Sequence, residues 1–168
     1  MDYIELKINI ISRRFNIKRR DSMTELTKSI EIEALPEKVW GMLALDRWPE
    51  WLATMKKAEY TSKDKDGVGA TAHAISEAAG VKDEYDAEIT EWKENEKMSW
   101  HSTSGKLKGM SCSMSLSPIK GGTKVTFVSA YDLPYSIFGK ILDRLRVRRE
   151  LEKTMEKALE KLKSILEK

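Results

Sequence analysis

From Thr24 onward the chain alternates between two kinds of pattern, apolar residues at every second position and apolar residues three or four apart. "TELTKSIEIEA" belongs to the first kind, with Leu26, Ser29 or Ile30, and Ile32 as candidates for a buried face, and it predicts a strand. "LPEKVWGMLA" belongs to the second: Pro36 and Glu37 suit a helix's first turn, and Val39, Trp40, Leu43 and Ala44 fall at helical spacing. A second short helix is expected in "RWPEWLA". Asp46 is placed to cap it, and Pro49 comes early, where a missing N–H costs little. Trp48 and Trp51 then share one side.

After Lys56 come six segments separated by turn signals: "KKAEYTS", "VGATAHAISEA", "VKDEYDAEITEW", "KMSWHSTS", "KLKGMSCSMSLS" and "TKVTFVSAYDL". Alternation picks out one apolar face in the last four: Val81, Tyr85, Ala87 and Ile89; Met98 and Trp100; Met110, Cys112, Met114 and Leu116; Val125, Phe127 and Tyr131. The other face is polar and includes Ser111, Ser113 and Ser115. One-sided strands in unbroken succession predict an antiparallel meander with one covered face. The cover is the final segment, "YSIFGKILDRLRVRRELEKTMEKALEKLKSILEK", in which Ile137, Ile141, Leu151, Met155, Leu159, Leu162 and Leu166 gather on one stripe at about 100° per residue. A strand, two short helices, six strands and a long helix make an α+β layout, a curved antiparallel sheet wrapped around its C-terminal helix.

Composition narrows the function classes. With 168 residues, 40% of them hydrophobic and 34% charged, the chain suits one globular domain able to bury roughly 70% of its unfolded surface. No apolar run approaches the roughly 18 residues of a membrane span, and the start lacks the order of a signal peptide, so a cytoplasmic protein is expected. A single cysteine and two histidines argue against a disulfide framework and against a metal site, and no cofactor is expected. Residues 1–20 carry six basic against two acidic side chains, whereas the whole chain has a net charge of +3, so the body is nearly neutral. That balance speaks against a nucleic-acid-binding domain. The alternation of Ile4, Leu6, Ile8 and Ile10 would allow an added edge strand, but residues 1–22 are read as a basic, loosely docked extension and 23–168 as the domain proper. The arm is free to touch an anionic membrane or an acidic protein.

No catalytic constellation stands out. Cys112 sits on an apolar strand face between Met110 and Met114, as an inert buried thiol would. His101 falls on the face opposite Trp100; His73 faces either way, among the small residues Ala70, Ala72 and Ala74, which leave room. Asp83, Glu84, Asp86 and Glu88 make an acidic strand that is mostly wet. Arg144 and Arg148 are the anomaly, because both fall near the centre of the long helix's apolar stripe. Each must therefore meet a carboxylate, reach water, or hold an anionic headgroup. Met98, Met110, Met114 and Met155 face inward and suit either an ordinary core or a pocket of adaptable shape.

From about Thr24 to Leu166 the sequence resembles the START-like, or SRPBCC, superfamily with the birch-pollen-allergen helix-grip fold, and within it the polyketide cyclase/dehydrase and lipid transport branch. The resemblance is carried by "SIEIEALPEKVWGML", "DRWPEWL", "GVGA", "ITEWKENEKMSW", "GGTKVTF" and "RRELEKTMEKALEKLKSIL". It implies a hollow between sheet and long helix, closed at one end by the two short helices, with Trp48 or Trp51 as a lid. The expected ligand is a hydrophobic small molecule, lipid-like, isoprenoid or aromatic, with an anionic group as one option. The residues expected to meet it are Trp48, Trp51, Tyr85, Trp100, Met110, Met114, Phe127, Tyr131, Arg144 and Arg148. Two alternatives come with the same scaffold. One is a cyclase-like enzyme in which Tyr85, Tyr131 or Arg148 assists proton transfer. The other is a partner-binding module resembling chaperone activators.

Overall fold

A computed structural model describes residues 23–78, 81–106, 108–132 and 141–168. The extension 1–22 lies outside the described residues. The expected order holds: β1 (Met23–Ile32), α1 (Pro36–Gly41), a 3-10 turn (Leu45–Arg47), α2 (Trp48–Trp51), then β2 (Met55–Tyr60), β3 (Thr71–Ala78), β4 (Val81–Lys93), β5 (Lys97–Ser102), β6 (Ser111–Ile119) and β7 (Gly122–Asp132), and finally α3 (Ile141–Leu166).

All seven strands form one antiparallel sheet in the order β1-β7-β6-β5-β4-β3-β2. From β2 to β7 each strand pairs with the next in sequence, as a meander does; β1 closes the far edge by pairing with β7, Leu26 opposite Ser129 and Ile32 opposite Thr123. Register shifts at Met55/Lys57 and Ile89/Glu91 place bulges in the sheet, and bulges bend strands and increase twist. The result is a curved sheet with one wet face and one covered face.

The covered face carries the core. Ala72, Ala74, Tyr85, Ala87, Ile89, Met98, Trp100, Cys112, Met114, Leu116, Val125, Phe127 and Tyr131 are buried there, as alternation predicts. Helix α3 covers it with Met155, Ala158, Leu159 and Leu162, which recur at the three- and four-residue steps of a helix face. Its C-terminal half is tied along the β1 edge. Lys28 pairs with Glu156 at 2.5 Å, Lys163 donates to the Glu31 carbonyl at 2.6 Å, and the Glu33 N–H donates to Glu167 at 2.7 Å.

One local expectation is corrected. Asp46 does not cap α2; it lies inside the 3-10 turn and its carboxylate is 3.7 Å from Lys65. The residue before α2 is Arg47, which makes no side-chain cap but grips Glu50 through Nε at 2.8 Å and through a second nitrogen at 2.9 Å. A four-residue helix that begins directly from a 3-10 turn has no extended residue at its start, and a capping carboxylate needs one.

Candidate functional site

The interior between sheet and α3 has two chemically different ends. At the end closed by α1 and α2, aromatic rings interlock. Trp48 and Trp100 stand 5.0 Å apart between centroids, Trp100 stacks on Phe127 at 6.2 Å and 28°, and Trp51 meets Phe127 edge-on at 6.4 Å. Trp48 and Trp51 are each 1% exposed, and both indole N–H groups are bound: Trp48 to the Leu43 carbonyl at 3.2 Å, Trp51 to the Met42 carbonyl at 2.9 Å. Two rings anchored to the backbone of the preceding turn behave as a floor rather than as the lid the resemblance implies. Met98, Met114, Ile89 and Val125, at 0–1% exposure, complete this tightly filled end.

Toward the opposite end the same inward rows turn polar. Asp83, two residues before Tyr85, is buried, as is Ser102, two residues after Trp100. Ser129, between Phe127 and Tyr131, is half-buried and accepts a hydrogen bond from the Cys112 thiol at 3.5 Å. Met110 and Leu151 are also half-buried, packed against the core. Sequence reasoning passed over Asp83, Ser102 and Ser129 because it searched the inward rows for apolar side chains. Strict period-two counting from Tyr85, Trp100 and Phe127 would have found all three.

Two phenols belong to this region. Burial drives the Tyr85 hydroxyl well above its ordinary pKa, with smaller contributions from Cys112 and Asp83, and burial pushes the Cys112 thiol up to about 11. Both groups therefore keep their protons at neutral pH. Tyr131 is 3% exposed, and its hydroxyl has no hydrogen-bond partner among the described residues. Its pKa is raised, first by burial, with Arg148 lowering it and Glu152 raising it. Buried hydroxyls are nearly always paired, so this one requires an explanation.

Of the two arginines, only Arg148 is described by its side chain; the side chain of Arg144 lies outside the described residues. Arg148 is exposed, and its Nε donates to Glu152 one turn on along α3 at 3.0 Å. It meets the requirement for a carboxylate within its own helix.

The rim of the polar end is held by acidic residues of β4. Asp83 Oδ1 accepts from the Lys106 N–H at 3.0 Å, and Asp86 Oδ2 accepts from the Ser104 hydroxyl at 3.0 Å. Gly105 lies between these two contacts with φ +80, and a Cβ there would come within 2.7 Å of Tyr85 Cβ and 2.8 Å of the Glu84 carbonyl. Only glycine allows the segment to lie this close to Tyr85. On the outer face His73 sits between Asp86 at 2.9 Å and Glu84 at 3.1 Å, and the Asp86 contact first and Glu84 second raise its pKa. His73 thus belongs to the wet face with His101, whose Nε2 is 3.8 Å from Glu88. Among the described residues no cluster of His, Cys, Asp and Glu could hold a metal ion, and no helix is long and apolar enough to cross a membrane.

Comparison with known proteins gives the arrangement a lineage. Residues 23–167 match the family described as polyketide cyclase / dehydrase and lipid transport. Similar solved structures include TTHA0849 of Thermus thermophilus, with 23% identity, a TM-score of 0.72, and 84% of this chain and 95% of that one covered. A START superfamily protein of Mycobacterium smegmatis aligns at 15% identity and a TM-score of 0.71, covering 85% and 97%. The Zhui aromatase/cyclase of Streptomyces sp. R1128 aligns at 13% identity and a TM-score of 0.70, covering 86% and 94%. At these identities the structural likenesses establish the helix-grip fold and nothing finer. No functionally curated protein matches the sequence.

Proposed function

Because the chain belongs to the polyketide cyclase / dehydrase and lipid transport family, we propose that it binds a hydrophobic small molecule between its sheet and its C-terminal helix, without altering it covalently. The observation that carries this reading is the division of the interior. Ligand sites combine a mostly apolar lining with a few convergent polar groups, and the inward rows supply both, aromatic rings passing into Tyr85, Cys112, Ser129 and Tyr131. In this reading Trp100, Phe127, Met110, Tyr85 and Tyr131 face the ligand, while Trp48, Trp51 and Met114 support them from behind. Tyr85 and Cys112 hold their protons at neutral pH. They suit a role as hydrogen-bond donors better than one as a general base.

Native mass spectrometry of the full chain, compared with its denatured mass, tests the reading. A small-molecule adduct lost on denaturation is expected. A clean mass, together with no binding of naphthalene-sized hydrophobic probes in equilibrium dialysis, would overturn it.

A further inference from the structure

We propose that the Tyr131 hydroxyl is the donor that fixes the polar end of the bound molecule, and that this end is an uncharged acceptor oxygen, such as a ketone, rather than a carboxylate or phosphate. The inference rests on the binding reading above and specifies what that site selects. Tyr131 follows Val125, Phe127 and Ser129 on the inward row of β7, so its ring continues the aromatic surface away from the tryptophan floor. The hydroxyl at its tip is buried and unpartnered among the described residues, and a buried hydroxyl left unpaired is costly, so an acceptor brought by a bound molecule is favoured there. Its raised pKa keeps it protonated, a donor throughout the physiological range.

The charges around it decide which acceptor fits. Two side chains of α3 act on the hydroxyl electrostatically, Arg148 in one direction and Glu152 in the other. They are bonded to each other through Arg148 Nε at 3.0 Å, so a ligand carboxylate at Tyr131 would meet a guanidinium whose charge Glu152 already offsets, with the Glu152 carboxylate beside it. At the rim of the same end Asp83 adds another acidic group on the sheet side. A neutral carbonyl meets none of these obstacles, since it accepts one hydrogen bond and brings no charge out of water. With its oxygen at Tyr131, the apolar body of the ligand lies over Phe127 and Trp100, whose rings already stack on each other.

Three probes of nearly one shape separate the possibilities: 2-acetylnaphthalene, 2-ethylnaphthalene and 2-naphthoate, measured by equilibrium dialysis against the full chain and against Tyr131→Phe. The wild type is expected to prefer the ketone to the hydrocarbon by about fivefold, the yield of one neutral hydrogen bond, and to bind naphthoate least. In Tyr131→Phe the ketone preference disappears, while the hydrocarbon's affinity changes less than about twofold, since only a hydroxyl has been removed. A wild type that prefers naphthoate, or that binds ketone and hydrocarbon equally, overturns the inference and leaves the binding reading standing. Retention of the ketone preference in the variant does the same. Failure of all three probes to bind the wild type overturns the binding reading and this inference together. A wild-type ranking against the ketone refutes the inference whether or not the variant folds, and a wild-type ranking for it is assigned to Tyr131 by the variant.

Discussion

Replacing Tyr131 by Phe should make the ligand-free protein more stable, against the usual direction of a core substitution. Phenylalanine fills the same ring volume, so no cavity is left; what disappears is a hydroxyl that is buried and has no partner among the described residues. Leaving a buried polar group unsatisfied costs on the order of 1–3 kcal/mol, and the low end applies because Tyr131 lies near the end of its strand, where partial hydration is easiest. A gain of about 1 kcal/mol corresponds to a Tm higher by roughly 2–4 °C in a domain of this size. Tyr60→Phe is the internal control. Tyr60 loses an equivalent hydroxyl, but there it accepts the Leu45 N–H at 3.1 Å, so its removal should cost about 1 kcal/mol. Urea and thermal unfolding followed by circular dichroism, with the protein stripped of any co-purified ligand, would measure both. If Tyr131→Phe destabilises as much as Tyr60→Phe, the Tyr131 hydroxyl has a resident partner, and the argument for an incoming acceptor fails.

Other substitutions probe the frame around the site. Gly105→Ala places a Cβ 2.7 Å from Tyr85 Cβ at φ +80 and should destabilise by more than about 2 kcal/mol in urea unfolding; a change under about 0.5 kcal/mol would mean the segment moves freely. His73, its pKa raised by Asp86 and Glu84, should add stability that is complete below its unfolded pKa of about 6.5 and lost as pH rises through the higher native value. The effect stays below about 1 kcal/mol because the ring is partly exposed, and His73→Gln should flatten the stability profile across that window; an unchanged profile would show that the pairing contributes nothing. Cys112, its thiol pushed up to about 11 by burial, should resist an aromatic disulfide reagent at pH 8 until the chain is unfolded, and labelling at the rate of an exposed thiol would contradict the burial.

Much of the fold was legible because period-two alternation is a direct record of which face is dry. Tyr85, Met98, Cys112, Met114, Val125 and Phe127 all lie where the pattern placed them. Arg148 was legible only as a demand for a partner. Its position on the stripe could not say that Glu152, four residues on, would answer it, because a residue on the stripe can still be exposed, as Arg148 is while Met155, Leu159 and Leu162 are buried. Asp46 was misassigned since a capping residue is recognised by its backbone, and the 3-10 turn that contains it is not written in residue type. The polar inward residues Asp83, Ser102 and Ser129 were missed for a different reason. Their chemistry matches the wet face, and only their even spacing from Tyr85, Trp100 and Phe127, which the register bears out, puts them on the other.

The two ends of the interior should answer mutation in opposite ways, which gives the division of labour its own test. Trp48→Phe removes an indole whose N–H is bound to the Leu43 carbonyl and whose ring packs on Trp100, so it should cost about 2 kcal/mol through lost area and an orphaned carbonyl. Trp48 is 1% exposed and supports the rings from behind, so the ratio of ketone to hydrocarbon affinity should hold within about twofold. Tyr131→Phe reverses the pattern, stability up and the ratio lost. Measured on both variants, the same pair of quantities distinguishes a floor from a recognition group. If Trp48→Phe abolished the ketone preference while leaving stability intact, the floor would itself be part of the recognition surface, and the polar end would lose its claim to set selectivity.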